Sequence, residues 1–417
     1  MKTSNEGNQF ELSSVPDNQR RGSVSLIVDW IGYVAVVVDL LVGGALGSAM
    51  PLQDAITAIV IGNLVLMALA AVASYLSFKQ AKTFSLLMQQ TFGERATIPL
   101  ALFVALVIIG WFSIQSSLFA HFIAARLHLS SIVESALGAA LSLIFAAAAY
   151  FGIDALRRLS IFAVPALGLL CIWTWMAVPI SDEPLALTHN LSLMGAITIV
   201  IGTWIVGATT TVGDILRFAK TSTVAVFGAI AGMGADLILM SVGAAAVQRY
   251  GNADLAVVLA NAIGFIPGVV FFALDVGTTN ENAMYSAGLN ISVATKLRHR
   301  YAVAAATAIA ATVALCQPYR YEIISNWLQF LGKAIPPIAA VVFVTAVFSP
   351  TLGRSNRYQR TRLWLSIASL LCGIFVAFII NAGIRPLNGF VTAAATQGLL
   401  LYIFEIRKRK LLIEFES

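Results

Sequence analysis

Within FALDVGTTNENAMYSAG, Phe272 to Gly288, an apolar segment runs into an aspartate, two threonines, two asparagines and a glutamate. On a helix, Asp275, Thr278, Thr279 and Asn282 share one face by their i, i+3, i+4, i+7 spacing. Hydroxyl groups and freed backbone carbonyls are hard oxygen ligands, suited to a small cation. The carboxylate and carboxamide add groups that can read the polar edge of a small molecule. Threonines in membrane helices also bond back to their own helix carbonyls, and for this pair both readings stand.

Two indoles and a carboxamide form a second constellation. GWFSIQSSLF, Gly110 to Phe119, places Trp111 and Gln115 four apart, on one helix face. Trp204 lies in VIGTWIVGATTTVGDILRF, Val200 to Phe218. Two such rings can sandwich a flat heterocycle, or each can pack against lipid or a neighbouring helix. Ionisable residues in apolar surroundings complete the set: Asp29, Asp39, Asp214, Asp236, Asp275, Glu281 and Lys333. A charge at mid-bilayer costs about 2.5–3.5 kcal/mol on insertion scales, so such groups face a cavity or a partner. For Lys333 we expect a partner among Asp39, Asp275 and opened backbone carbonyls, Asp39 first; the alternative is a side chain that snorkels to an interface.

The elements that must carry these groups are membrane helices. Of 417 residues 59% are hydrophobic and 11% charged, against about 25% charged in soluble proteins. Apolar runs of about 20 residues, each long enough to span a bilayer, recur throughout. They predict an all-α polytopic membrane protein with twelve transmembrane helices, near 24–47, 53–77, 97–125, 131–152, 160–180, 193–216, 222–248, 256–290, 299–317, 323–349, 362–382 and 386–405. Of 26 Lys and Arg, 21 fall in the tails and alternate loops, whereas the opposite loops hold Arg126, Arg249, Arg320 and Arg385. That bias predicts a multi-pass protein of the plasma (inner) membrane with both termini cytoplasmic. RKRK at 407–410 then reads as a topology anchor on the lipid bilayer, not a nucleic-acid patch.

Backbone weakness is concentrated in three spans. Span 1 carries Gly32, Gly43, Gly44 and Gly47, and span 6 carries Gly202, Gly207 and Gly213 beside three threonines. Broken transporter helices use such residues to open carbonyls and N–H groups toward a site. Span 10 is interrupted at Ala334-Ile335-Pro336-Pro337. The pattern Trp-Ile followed by Asp nine or ten residues after the tryptophan (Trp30 to Asp39, Trp204 to Asp214) echoes between spans 1 and 6 and suits two repeats of five spans.

At these residues the sequence resembles the cytosine permease branch of the nucleobase:cation symporter family. The matching pieces are VPDNQRRG before span 1, GWF at 110–112, FGIDALRRLSIFAVPA at 151–166, DILRF at 214–218, TTNENAMYSAGL at 278–289 and FLGKAIPP at 330–337. The resemblance implies a five-plus-five inverted-repeat, amino-acid-transporter-like fold with two extra helices. Its parts would be an N-tail 1–22, repeats 23–182 and 190–349, helices over 361–405 and a C-tail 406–417. It implies that Trp111 and Trp204 stack the substrate, with Gln115, Asp275 and Asn282 beside it. It places a sodium site at Gly32, Ala35, Asp275, Thr278 and Thr279. Where the family carries glutamine this chain has Ile108, and where it carries asparagine this chain has Asp275.

The expectation is a secondary transporter that imports a nucleobase-like nitrogen heterocycle with Na+ or H+, with Asp39 and Lys333 in coupling or gating. The alternative is a channel, sensor or non-transporting scaffold in the same fold. No resident cofactor and no enzymatic role are expected: there is no HExxH, and His121, His128, His189 and His299 lie near span ends. No GxxxxGK[ST] loop occurs, so energy should come from an ion gradient. Cys171, Cys316 and Cys372 sit in apolar runs and read as packing residues.

Overall fold

The computed structural model describes residues 14–416, apart from residue 21, residues 152–164, scattered positions between 166 and 189, and residues 349–358. Among the described residues the chain is helical, with no strand. Among the described residues seven helices are long and apolar enough to cross a membrane, or nine when each bent pair counts as one span, and two shorter apolar helices accompany them. This is consistent with twelve crossings; the fifth expected span, 160–180, falls largely outside the described residues.

Span 1 is two helices, α1 (Ser23–Val34) and α2 (Val37–Ala49), bent by 44°. The break is at Ala35 and Val36, whose backbones are extended. Span 2 is α3 (Leu52–Gln80), and span 3 lies in α4 (Phe84–Leu127). The α4 helix runs longer than its expected 97–125 because a separate first segment precedes a break at Gly93, where φ is 76°. Next come α5 (Ser131–Phe151) and α6 (Leu193–Val206).

Span 6 does not open as its glycines and threonines led us to expect. It widens into one π turn, Gly207–Thr211, and resumes as α7 (Val212–Leu216). Thr209 and Thr210 each bond back to the carbonyl four residues earlier, a contact that bends a helix without opening it.

Then follow α8 (Ser222–Tyr250), α9 (Leu255–Ile263) and α10 (Phe265–Thr295). Here the expected span 256–290 needs correction. Gly264, at φ 84°, bends the chain by 119°, so the expected single span is two helices set at a sharp angle. Only glycine adopts such a φ at little cost. The last helices are α11 (His299–Ala314), α12 (Tyr321–Phe348), α13 (Gln359–Ile379) and α14 (Arg385–Glu416). The expected interruption at 334–337 is absent, because Pro336 and Pro337 sit inside a continuous α12. Their missing N–H groups release the carbonyls of Gly332 and Lys333, a loss that helix packing in membranes tolerates.

Spans 2, 3 and 4 each pack along the span five positions later: α3 on α8, α4 on α10, α5 on α11. This pairing is what two like halves, interleaved about a two-fold axis, produce. Close seams fix the register. A Cβ on Gly43 would lie 1.9 Å from the Met240 carbonyl oxygen, and one on Gly243 2.1 Å from that of Leu40. A Cβ on Gly202 would meet the Leu328 carbonyl at 1.9 Å, locking α6 to α12. Without a hydrophobic drive between helices in lipid, such backbone approach is what holds them together. Phe272 stacks on Phe119 at 5.6 Å and packs at a tilt on Phe122 at 4.7 Å, joining α10 to α4.

Candidate substrate and cation site

The break in span 1 organises the site. An unbroken helix would send the N–H groups of Val36 and Val37 to the carbonyls of Gly32 and Tyr33. Instead Val36 N–H donates to Asp39 Oδ2 at 3.4 Å and Val37 N–H donates to Asp275 Oδ2 at 3.1 Å. Two carboxyl groups thus cap the N-terminus of α2, where the helix dipole favours negative charge. The carbonyls of Gly32 and Tyr33 thereby lose those two helical donors. Asp39 is 0% and Asp275 2% exposed, so both face protein, not lipid.

Trp204 completes the corner, because its indole N–H donates to Asp39 Oδ1 at 2.8 Å. Gly207 permits this pose: a Cβ there would lie 2.4 Å from Trp204 Cε3. Tyr33 meets the Trp204 ring edge-on at 5.8 Å and stacks on Trp30 at 5.8 Å. Sequence reading passed over Tyr33; its place one residue after Gly32 in the broken span was the available signal. On α4, Trp111 is half-buried and packs against the main core, and Gln115 is buried with its carboxamide oxygen unpartnered. The aromatic partner of Trp204 is Tyr33, and no ring contact joins it to Trp111 among the described residues. Thr278, Thr279 and Asn282 lie on α10, with their side chains outside the described residues. No cluster of three or more His, Cys, Asp or Glu that could hold a metal occurs among the described residues.

Other expectations are corrected. Lys333 does not pair with Asp39: its Nζ sits 5.1 Å from the Phe378 ring centroid, on the α13 side of α12. Asp39 faces Trp204 and the α2 backbone instead. Asp29 is exposed. Asp214 accepts the Phe84 N–H at 3.0 Å, capping α4 at the far end of the bundle. The pattern shared by Trp30–Asp39 and Trp204–Asp214 thus ends in two different places.

A polar cluster missed in the sequence ties the face opposite the termini. His121 Nε2 bonds Asp254 Oδ2 at 2.8 Å, and its Nδ1 lies 3.1 Å from Glu134 Oε1 and 2.8 Å from the Tyr319 hydroxyl. Tyr319 in turn donates to Glu134 at 2.5 Å. Four chain segments meet here: the end of α4, the start of α5, the N-cap of α9 and the turn before α12. Burial, reinforced by Glu134, holds the Tyr319 hydroxyl proton on, so it remains a donor. Burial pushes the Asp254 carboxyl up, but the hydrogen bond and charge of His121 and the N–H groups of Ala256 and Val257 outweigh it and leave it below the usual range. A depressed carboxylate stabilises the fold above its unfolded pKa, and the gain is lost as pH falls through the folded value. Below about pH 4 the α9 tie should therefore weaken. Asp254→Asn is expected to flatten that acid limb of thermal stability; an unchanged limb would show that the cluster does not hold α9.

A model of the family described as "Permease for cytosine/purines, uracil, thiamine, allantoin" matches residues 14–349. The cytosine permease of Escherichia coli strain K12 is 28% identical over 408 residues, covering 95% of this chain and 94% of that protein. The cytosine permease of Escherichia coli O157:H7 matches at the same identity and coverage. Among solved structures, the inward-facing conformation of Mhp1 superposes with a TM-score of 0.78 at 17% identity, covering 94% of this chain and 93% of that one. Mhp1 in a closed conformation with bromovinylhydantoin bound, a nucleobase-cation-symport-1 family transporter, gives 0.74 at 18% identity, covering 93% and 92%. These structures share the fold described above.

Proposed function

Since the chain belongs to the family of permeases for cytosine and purines, uracil, thiamine and allantoin, we propose that it imports a nucleobase or related planar nitrogen heterocycle with a cation, by alternating access. One observation carries the reading. The broken first span delivers two carboxyl groups, an indole and opened backbone to a single buried corner. A polar ring needs such a mixture: a face to stack on and an edge to bond.

Trp204 and Trp111 supply the stacking faces, and Gln115, Asp275 and Asn282 the edge contacts. A protonated Asp275 would offer the ring one donor and one acceptor, whereas an ionised one offers acceptors only. The cation, sodium or a proton, is taken between Gly32, Ala35 and Asp275 on one side and Thr278 and Thr279 on the other. Asp39 acts in coupling through Trp204, and Lys333 in gating on the α13 side. Repeats 23–182 and 190–349 would rock against each other around this site, in the inner membrane with both termini cytoplasmic.

Counterflow in proteoliposomes tests the transporter. Radiolabelled cytosine, uracil, hypoxanthine and hydantoin are offered against the same compound unlabelled inside. A carrier accumulates label for at least one of them; a channel or a non-transporting scaffold does not. Thr278→Ala with Thr279→Ala should abolish sodium-stimulated binding of the accepted compound while the protein still elutes as a folded species. Binding that stays equally sodium-dependent in the double variant would return both threonines to a structural role.

A further inference from the structure

One buried acid, Asp236 on α8, belongs to none of the contacts above. It is 0% exposed, and it faces Asp39 on α2 and Asn63 on α3. The register of the two helices explains the encounter. Gly43 meets Met240 and Gly47 meets Ala244 at backbone distance. One turn earlier, the same parallel register sets Asp39 against Asp236.

The hydrogen bonds there do not close. Both oxygens of Asp236 lack a donor, and so does the Asn63 Oδ1. The Asn63 Nδ2 turns its two N–H bonds to the Ile59 carbonyl at 3.2 Å and the Met240 sulfur at 4.0 Å, and neither oxygen of Asp236 accepts from it in this arrangement. Asp39, by contrast, takes the Trp204 and Val36 N–H groups. Acceptors therefore face acceptors in a site closed to water, and unsatisfied buried polar atoms are costly. The titratable groups facing the pair are each other and, toward Asp39, Asp275 on α10. No Lys, Arg or His faces them among the described residues.

We propose that Asp39 and Asp236 form a proton-binding site in which Asp236 carries the proton and donates it to Asp39. A single O–H bond on Asp236 supplies the donor that this cluster lacks, and two adjacent carboxyls in a dry site do not both ionise. Asp39 is the better anion because two N–H groups already point at it. Asn63 Oδ1 offers the same proton a second acceptor. A metal ion in this position would compete with the N–H donors on Asp39, whereas a proton needs no room.

The site is one hydrogen bond from the proposed stacking ring: Asp236, Asp39, Trp204. When the proton leaves to water on one side of the membrane, the O–H bond breaks and two anions face each other. Their repulsion acts across the α2–α8 seam, beside the break in span 1. Uptake of a proton from the other side restores the bond. The proposal deepens the cation coupling proposed above and rests on that reading for its purpose, but its test needs no substrate.

Infrared spectra of the lipid-reconstituted full chain decide it, using protons alone as the probe. At neutral pH the wild type minus Asp236→Asn difference spectrum should contain one protonated-carboxyl C=O band. Alkaline titration of the wild type should convert that band into carboxylate bands. Asp39→Asn should shift it, because its acceptor changes from a carboxylate to a neutral carboxamide oxygen. A difference spectrum containing only ionised carboxylate bands would overturn the proposal. So would a protonated band of equal intensity in wild type and Asp236→Asn. A band abolished by adding sodium chloride at constant pH would identify a metal-ion site and overturn it too. Should a variant not fold, the wild-type titration still decides, since a wild type with no protonated carboxyl at neutral pH refutes the site. Failure of counterflow with intact infrared bands would strike the transport reading and leave the proton site standing.

Discussion

Valine at Gly243 is expected to eliminate folded protein from detergent extracts, whereas valine at Gly234, in the same helix, should be tolerated. A Cβ at 243 would fall 2.1 Å from the Leu40 carbonyl oxygen and 2.8 Å from its Cα. Both are backbone atoms of α2, so no side chain can turn aside. At Gly234 the nearest atom is the flexible end of Met67, at 3.9 Å. Overpacking usually costs about 1–3 kcal/mol, and more where the backbone itself must move. Parting α2 from α8 would also pull Asp39 from Asp236 and carry the capped end of α2 out of the site. Size-exclusion profiles of the two variants make the comparison. Equal monodisperse yields would mean that the seam is not what sets the α2–α8 distance.

Trp204 is the second place where a large effect is expected. Alanine there removes a stacking face and the N–H that holds Asp39. Base–aromatic stacking is worth roughly 1–3 kcal/mol elsewhere, which corresponds to about 5-fold to 150-fold in affinity for the compound accepted in counterflow. Trp204→Phe separates the two roles, since it keeps a ring and loses the 2.8 Å bond to Asp39. The phenylalanine variant should recover most of the affinity but bind with an altered pH dependence. Alanine and wild type binding alike, at equal yield, would remove Trp204 from the site. Phenylalanine with an unchanged pH profile would cut the link from the ring to the acids.

Much of this molecule is legible in one dimension because lipid leaves few choices. Every backbone group in a bilayer must be satisfied within the segment or by a neighbour, so long apolar runs can only become helices. The all-helical class follows from that constraint, and the glycines of span 1 mark where its helix is weak. So does the suspicion that Asp39, Asp236 and Asp275 have partners, since charge in hydrocarbon is costly.

Which partners they have is a different kind of fact. Asp39 was expected to meet Lys333, a match of opposite charges, yet Lys333 sits over the Phe378 ring and Asp39 takes the Trp204 N–H. The α2–α8 seam brings Asp39 to Asp236, which is 197 positions away in the sequence. Proline and glycine marked span 10 and span 6 as breaks, but dense neighbours hold α12 continuous and let span 6 relax into one π turn. At span 1 and at Gly264 the same local signals did produce breaks, because there a carboxyl group capped the freed N–H groups or the backbone took a conformation suited to glycine. The sequence by itself determined which residues were out of place in a membrane, through the energetics of single groups in lipid. Tertiary structure alone decided what they touch, because that depends on the distance and register between helices far apart in the chain, set here by glycines that let two backbones meet.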